Sequence, residues 1–299
     1  MRSFQSYPEV AWRMDDPTDS LQTIVGCIYA FIPLVVLPVY LRIIYIFMKS
    51  EKYRSLECYQ IMIQIGVAQC LAIAPPFVAF AICLIAEEDQ IGIADTIMKL
   101  YPSFLRTEVC LGFVLALNRF KILTGFGVRG GVHKVLSILS WLLGLTYFIF
   151  LCTPCCEYGI MSGKLTTAYG SSPSTTLFRK VGTYILIVPP LASFLIYMVI
   201  LCNLIRKKLA FRKPQFRKEK LIFISAFTRV LFDVTFFAIY HLGGYPHIPQ
   251  YDVTLMVALE ISTIGVPPIS EMHFIRSNHT SSTLASWGCS KNGHLTEPM

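Results

Sequence analysis

Seven long apolar runs, almost free of charge, constrain what this chain can become more than any other feature. They cover about residues 23–48, 59–86, 98–117, 135–152, 181–205, 221–241 and 254–274, each about long enough to cross a hydrocarbon layer of about 30 Å as a helix rising about 1.5 Å per residue. The third is the least regular, because Arg106 and Glu108 interrupt it. Charged residues make up 15% of the 299 residues and the mean hydropathy is +0.57, whereas a soluble domain carries about 25% charge. In lipid only helices and closed barrels satisfy their own backbone, and runs of this length are helical. The expectation is an all-α bundle of seven transmembrane helices: a tail over residues 1–22, one membrane domain over 23–274 and a second tail over 275–299. That division leaves no room for a second soluble domain.

The connections set the orientation. Those after the first, third and fifth runs are basic: Lys49, Lys52 and Arg54; Arg119, Lys121, Arg129 and Lys134; and a dense stretch from Arg206 to Lys220. The opposite side collects acids, among them Asp15, Asp16, Asp19, Glu87, Glu88 and Asp89. Short loops rich in Lys and Arg stay cytoplasmic, so the N-terminus is expected outside and the C-terminus inside. The polar first twenty residues hold no apolar leader core, so the first span is expected to act as its own insertion signal. Asn278-His279-Thr280 is a glycosylation sequon on the expected cytoplasmic side, where it should carry no sugar. The net charge of +8 is broken into these loops and forms no continuous basic face, which argues against nucleic acid as a partner.

The ten cysteines form no zinc pattern, and no metal or cofactor is expected. Cys152, Cys155 and Cys156 fall at the outer end of the fourth run, and one of them is a candidate to pair with Cys83 at the outer end of the second. The six histidines are scattered, with no H-E-x-x-H, G-x-S-x-G or Walker pattern, so an enzyme is not expected. Ionisable groups within spans are costly and face the bundle interior. Arg229 and Asp233 lie four apart on one face of the sixth run, as a self-neutralising pair or as a cytoplasmic-side restraint. Arg106 and Glu108, two apart, point to different faces and need partners on other helices or in a pocket; Glu260 of the seventh run is a candidate partner for Arg106. Proline pairs at 33/38, 75/76, 189/190 and 267/268 kink their helices, which suits a cavity between them.

The stretch Leu115-Ala116-Leu117-Asn118-Arg119-Phe120, closing the third run before a basic loop, resembles the L-A-x-N-R-x signature of nematode serpentine chemoreceptors. Glu57-Cys58-Tyr59-Gln60-Ile61-Met62 is similar to the opening of the second span in their class T, with class X next; Trp141 and Pro267-Pro268 also fit, and the resemblance covers about residues 21–280. It implies a G-protein-coupled receptor of sensory neurons, multi-pass in the plasma membrane and in a sensory cilium. It implies a small-molecule ligand in the outer half of the bundle and a heterotrimeric G protein inside. Asn118 and Arg119 would form the signalling switch, with Arg206 to Lys220 part of the coupling surface. An ion channel or transporter subunit is the alternative. The departures are Gln69 where an acid is common in the second span, no tyrosine at the usual spacing after Pro267-Pro268, no interior proline in the sixth run, and no cysteine at the top of the third.

Overall fold

The computed structural model describes residues 17–54, 56–86, 92–124, 131–156, 158–160, 167–170 and 172–208, and singly 227, 230–232, 235, 254 and 257. Arg229, Asp233, Glu260, Pro267, Pro268 and Asn278 lie outside the described residues. The elements are α1 (Pro17–Lys49), α2 (Glu51–Arg54), α3 (Glu57–Ala86), α4 (Ile93–Met98), α5 (Leu100–Thr124), α6 (Gly131–Cys152), the strands β1 (Tyr158–Ile160) and β2 (Thr167–Tyr169), and α7 (Pro173–Lys208). Among the described residues five helical segments are long and apolar enough to cross a membrane. They correspond to the first five expected runs.

The helices outrun the apolar stretches that announce them, because a helix stops where its ends are capped and not where hydropathy falls. The fifth was expected from about residue 181, yet α7 begins at Pro173, about two turns earlier. Ser172 Oγ accepts the Thr175 N–H at 3.2 Å, and proline at the first helical position lacks only an N–H that would have had no partner there. Ser174 and Thr175 hydroxyls also donate to the Cys155 carbonyl, tying this start to the turn after α6. A short helix, α4, precedes the third run and is set off from α5 at Lys99, where the ring of Pro102 disfavours a helical carbonyl four residues back, at Met98. At the other end α5 continues to Thr124, so Asn118 and Arg119 stand inside a helix and do not close it.

Along α6 the pattern is inverted relative to a water-soluble bundle. The buried seam of α6 is His133, Ser137, Ser140, Gly144, Tyr147 and Leu151, at alternating spacings of four and three. Its outward face carries Val135, Ile138, Leu142, Leu145 and Ile149, all exposed. Small and polar residues inside with large apolar ones outside are what close helix packing in lipid requires. A Cβ on Gly144 would fall onto the Thr107 hydroxyl of α5 and within 3.2 Å of the Ser103 carbonyl, so the two backbones meet there. The same helix α5 packs against α3 and α7, and α3 packs against α1. Aromatic contacts among Tyr29, Phe77, Phe80 and Tyr101 fill the core between α1, α3 and the start of α5.

Between α6 and α7 the chain forms a β-hairpin that the apolar pattern did not announce. Tyr158 pairs with Tyr169 and Ile160 with Thr167 across two antiparallel strands. Two strands alone are marginal. This pair is held because Tyr158 is buried against Tyr147 and Leu151, and because Gly159 lets the Asp95 carboxylate of α4 lie against the strand. Cys155 and Cys156 lie in the turn after α6 with their sulfurs 3.1 Å apart, and Cys155 meets the Thr153 hydroxyl at 2.9 Å.

Candidate functional site

The polar residues flagged in the sequence converge on α5, at three levels along one helix. Nearest the hairpin is Arg106, 3% exposed. Its guanidinium stacks on the Tyr147 ring of α6 at 3.8 Å and its Nη1 donates to the Pro102 carbonyl one turn back. Among the described residues its Nε has no hydrogen-bond partner. Beside it, a Cβ on Gly182 of α7 would come within 2.5 Å of both the Tyr147 hydroxyl and Nη2, so glycine there brings the α7 backbone close against this pair. Tyr147 is fixed in turn by stacking on Phe178 at 4.3 Å and by a 3.3 Å contact between its hydroxyl and that of Tyr169 on β2. Burial drives the Tyr158 hydroxyl, which bonds Thr167 at 2.7 Å, well above the usual phenol range. Arg106 is thus roofed by a neutral aromatic layer, and among the described residues no carboxylate pairs with it.

Glu108 occupies the next level, on another face, as its two-residue offset from Arg106 requires. It is 5% exposed and accepts a hydrogen bond from Gln69 Nε2 of α3 at 2.9 Å. Gln69 Oε1 accepts in turn from the Tyr40 hydroxyl of α1. Three helices are therefore linked by one buried polar chain. The carboxylate whose absence at Gln69 stood out in the sequence is supplied from α5, a substitution in space that linear spacing cannot reveal. Tyr40 carried no signal in the sequence, because one tyrosine in an apolar run reads as packing.

The lowest level holds the dipeptide of the chemoreceptor-like signature. Asn118 is fully buried, and among the described residues neither its amide nitrogen nor its oxygen has a partner. Arg119 is half-buried, with no ion pair among the described residues. On α5 nearby, Ala116 packs with Tyr197 and Ile200 of α7 in an apolar cluster that includes Phe227 and Val230 of the sixth run. Lys121, one helical step on, pairs with Glu57 at the start of α3 at 3.8 Å, both side chains partly exposed; such a pair is worth about 0–1 kcal/mol. Outside the bundle, a groove of about 410 Å³ between α3 and α6 is lined by Glu57, Gln64, His133 and Trp141, and the Trp141 indole N–H donates to Gln64 Oε1 at 3.2 Å. Among the described residues no group of His, Cys, Asp and Glu is placed to hold a metal.

No family model matches the chain, and no curated protein matches it. Among solved structures it is similar to the crystal structure of squid rhodopsin, with a TM-score of 0.73 at 13% identity over 99% of this chain and 97% of that one. At that identity the likeness carries the fold: an all-α bundle of the seven-transmembrane rhodopsin type, hence a multi-pass membrane protein.

Proposed function

We propose that this protein is a seven-helix chemosensory receptor that takes a small molecule in the outer half of its bundle and signals through a heterotrimeric G protein, without enzymatic activity or cofactor. The observation that supports this reading is the make-up of α5. One continuous helix, in contact with α3, α6 and α7, carries buried Arg106 toward the hairpin end and buried Asn118 beside half-buried Arg119 toward the other. An unpartnered buried amide costs about 1–3 kcal/mol. Any arrangement that gives Asn118 a partner is favoured by that margin, which is the size of coupling through which a ligand shifts a two-state equilibrium.

In the orientation that the basic loops favour, the hairpin end faces outward and Arg119 faces the cytosol. Arg119, with the Arg229–Asp233 pair of the sixth run, then forms the switch that the G protein meets. Sensory cilia and the class T chemoreceptors belong to this reading through the motif resemblance alone. The channel or transporter alternative is less well supported: among the described residues apolar Leu111 and Val114 separate the Glu108 level from Asn118, so no continuous polar path runs along α5.

The test is Arg119→Ala in cells expressing a reporter G protein. Surface expression should stay near wild type while agonist-driven output is lost. Undiminished output would count against the mechanism, and ion or solute flux without any G protein would favour the alternative.

A further inference from the structure

The turn after α6 sets two adjacent sulfurs side by side in unlike surroundings. Cys155 is exposed, and the Thr153 hydroxyl, 2.9 Å from its sulfur, holds its thiol below the ordinary range. Cys156 is 4% exposed, and its sulfur lies 3.1 Å from that of Cys155, about 1 Å beyond the length of a disulfide bond. The Cys156 N–H donates to the Thr153 carbonyl at 3.3 Å and closes the turn. From the other flank the Ser174 and Thr175 hydroxyls of α7 donate to the Cys155 carbonyl at 2.8 and 3.3 Å. The turn that presents the two sulfurs is therefore held on both sides.

An accessible, acidified thiol reacts first with an external oxidant, and a second thiol poised beside it displaces what was added. Adjacent residues make an unusual bridge. Consecutive Cα atoms stand about 3.8 Å apart across a trans peptide, whereas ordinary bridges span about 4.4–6.8 Å. A bridge formed here is strained, and a strained bridge is readily reduced. That suits a site that closes and reopens, and not a permanent staple.

We propose that Cys155 and Cys156 form a reversible oxidation site, closed to a vicinal disulfide by small organic disulfides, and that closure loosens the tie between this turn and the start of α7. The Cys155 thiolate attacks one sulfur of the small disulfide, breaking its S–S bond and expelling a thiolate that takes up the proton Cys155 gave up. The Cys156 sulfur then attacks that of Cys155, forming the new S–S bond; its proton leaves with the second small thiol. Two protein thiols are oxidised and one disulfide is reduced to two thiols. Closing the ring turns the peptide between the two residues, and with it the carbonyl that Ser174 and Thr175 hold. The site does not depend on the receptor reading.

The test uses full-length protein in nanodiscs, reduced, freed of reductant, treated with glutathione disulfide and capped with N-ethylmaleimide before peptide mass analysis. In the wild type the peptide holding both residues should be two hydrogens lighter, with neither cysteine capped, and excess glutathione should restore both thiols. Cys156→Ser should instead keep one glutathione on Cys155, and Cys155→Ser should leave Cys156 without any. Glutathione retained on wild-type Cys155, a bridge from either residue to another cysteine, or no loss of the two thiols would overturn the site. Amide hydrogen exchange at Thr175 and Thr176 should quicken on oxidation and slow again on reduction; exchange that stays the same would overturn the coupling to α7.

Discussion

Asn118 is buried without return: among the described residues neither polar atom of its amide gains a hydrogen bond for the water it gives up. Replacing it with leucine, similar in size and free of that cost, should stabilise the state described here by about 1–3 kcal/mol. Asn118→Leu should therefore unfold at a higher temperature in detergent and signal less; a lower midpoint would show that the amide is satisfied. The thiols after α6 behave differently from each other. The Thr153 hydroxyl, with Cys156 beside it, holds the exposed Cys155 thiol below the ordinary thiol range, while burial pushes Cys156 up to about 11. A lowered pKa means more thiolate at a given pH, so iodoacetamide should modify Cys155 first near neutrality, with the midpoint of its rate against pH below that of an ordinary thiol. Thr153→Val should move that midpoint up. Peptide mass analysis reads both, and first labelling at Cys156 would contradict the assignment. Neither behaviour is legible in sequence: Asn118 was visible as part of a motif, but its burial without a hydrogen-bond partner among the described residues exists only once the helices have packed.

At the scale of elements, the seam between α5 and α6 depends on the absence of side-chain bulk. Gly144 lies against Thr107 and Ser103, where a Cβ finds no room. Gly144→Leu should cost about 1–3 kcal/mol by overpacking; Gly144→Ala should cost less, and adding Thr107→Ala should recover part of that loss, as thermal unfolding of the single and double variants would show. Unchanged unfolding of Gly144→Leu would mean that the seam is looser than described. Most elements could be anticipated from hydropathy, since a span of helix in lipid must be apolar along its length. Their limits could not. The cap at Ser172 and the break that Pro102 imposes are local chemistry that hydropathy averages away. The hairpin was not anticipated, because three-residue strands carry too little periodicity and this pair is secured by Tyr158 docking on α6.

For the molecule as a whole, orientation is the property on which the functional reading turns. With the basic connections in the cytosol, Asn278 of the sequon lies on the same side as Arg119 and receives no sugar. Expression in cells competent for glycosylation, followed by treatment with an amidase that removes N-linked glycans, should leave the mobility on a gel unchanged. A shift on treatment would place the C-terminal tail outside, and with it Arg119, away from any G protein. The described fold is compatible with either orientation, since a bundle packs the same way from both sides.

Hydropathy alone determined that lipid is the solvent for most of this chain, how many times it is expected to cross, and which residues are charged where charge is costly. Those properties are additive along the chain, each residue contributing its own transfer free energy. Which charge meets which partner was decided by tertiary structure alone. Glu108 reaches Gln69 and Arg106 reaches Tyr147 across 39 and 41 residues, and those meetings depend on how far each helix extends and how it is rotated against its neighbours, settled in turn by glycines such as Gly144 and Gly182 that let backbones and a guanidinium come close.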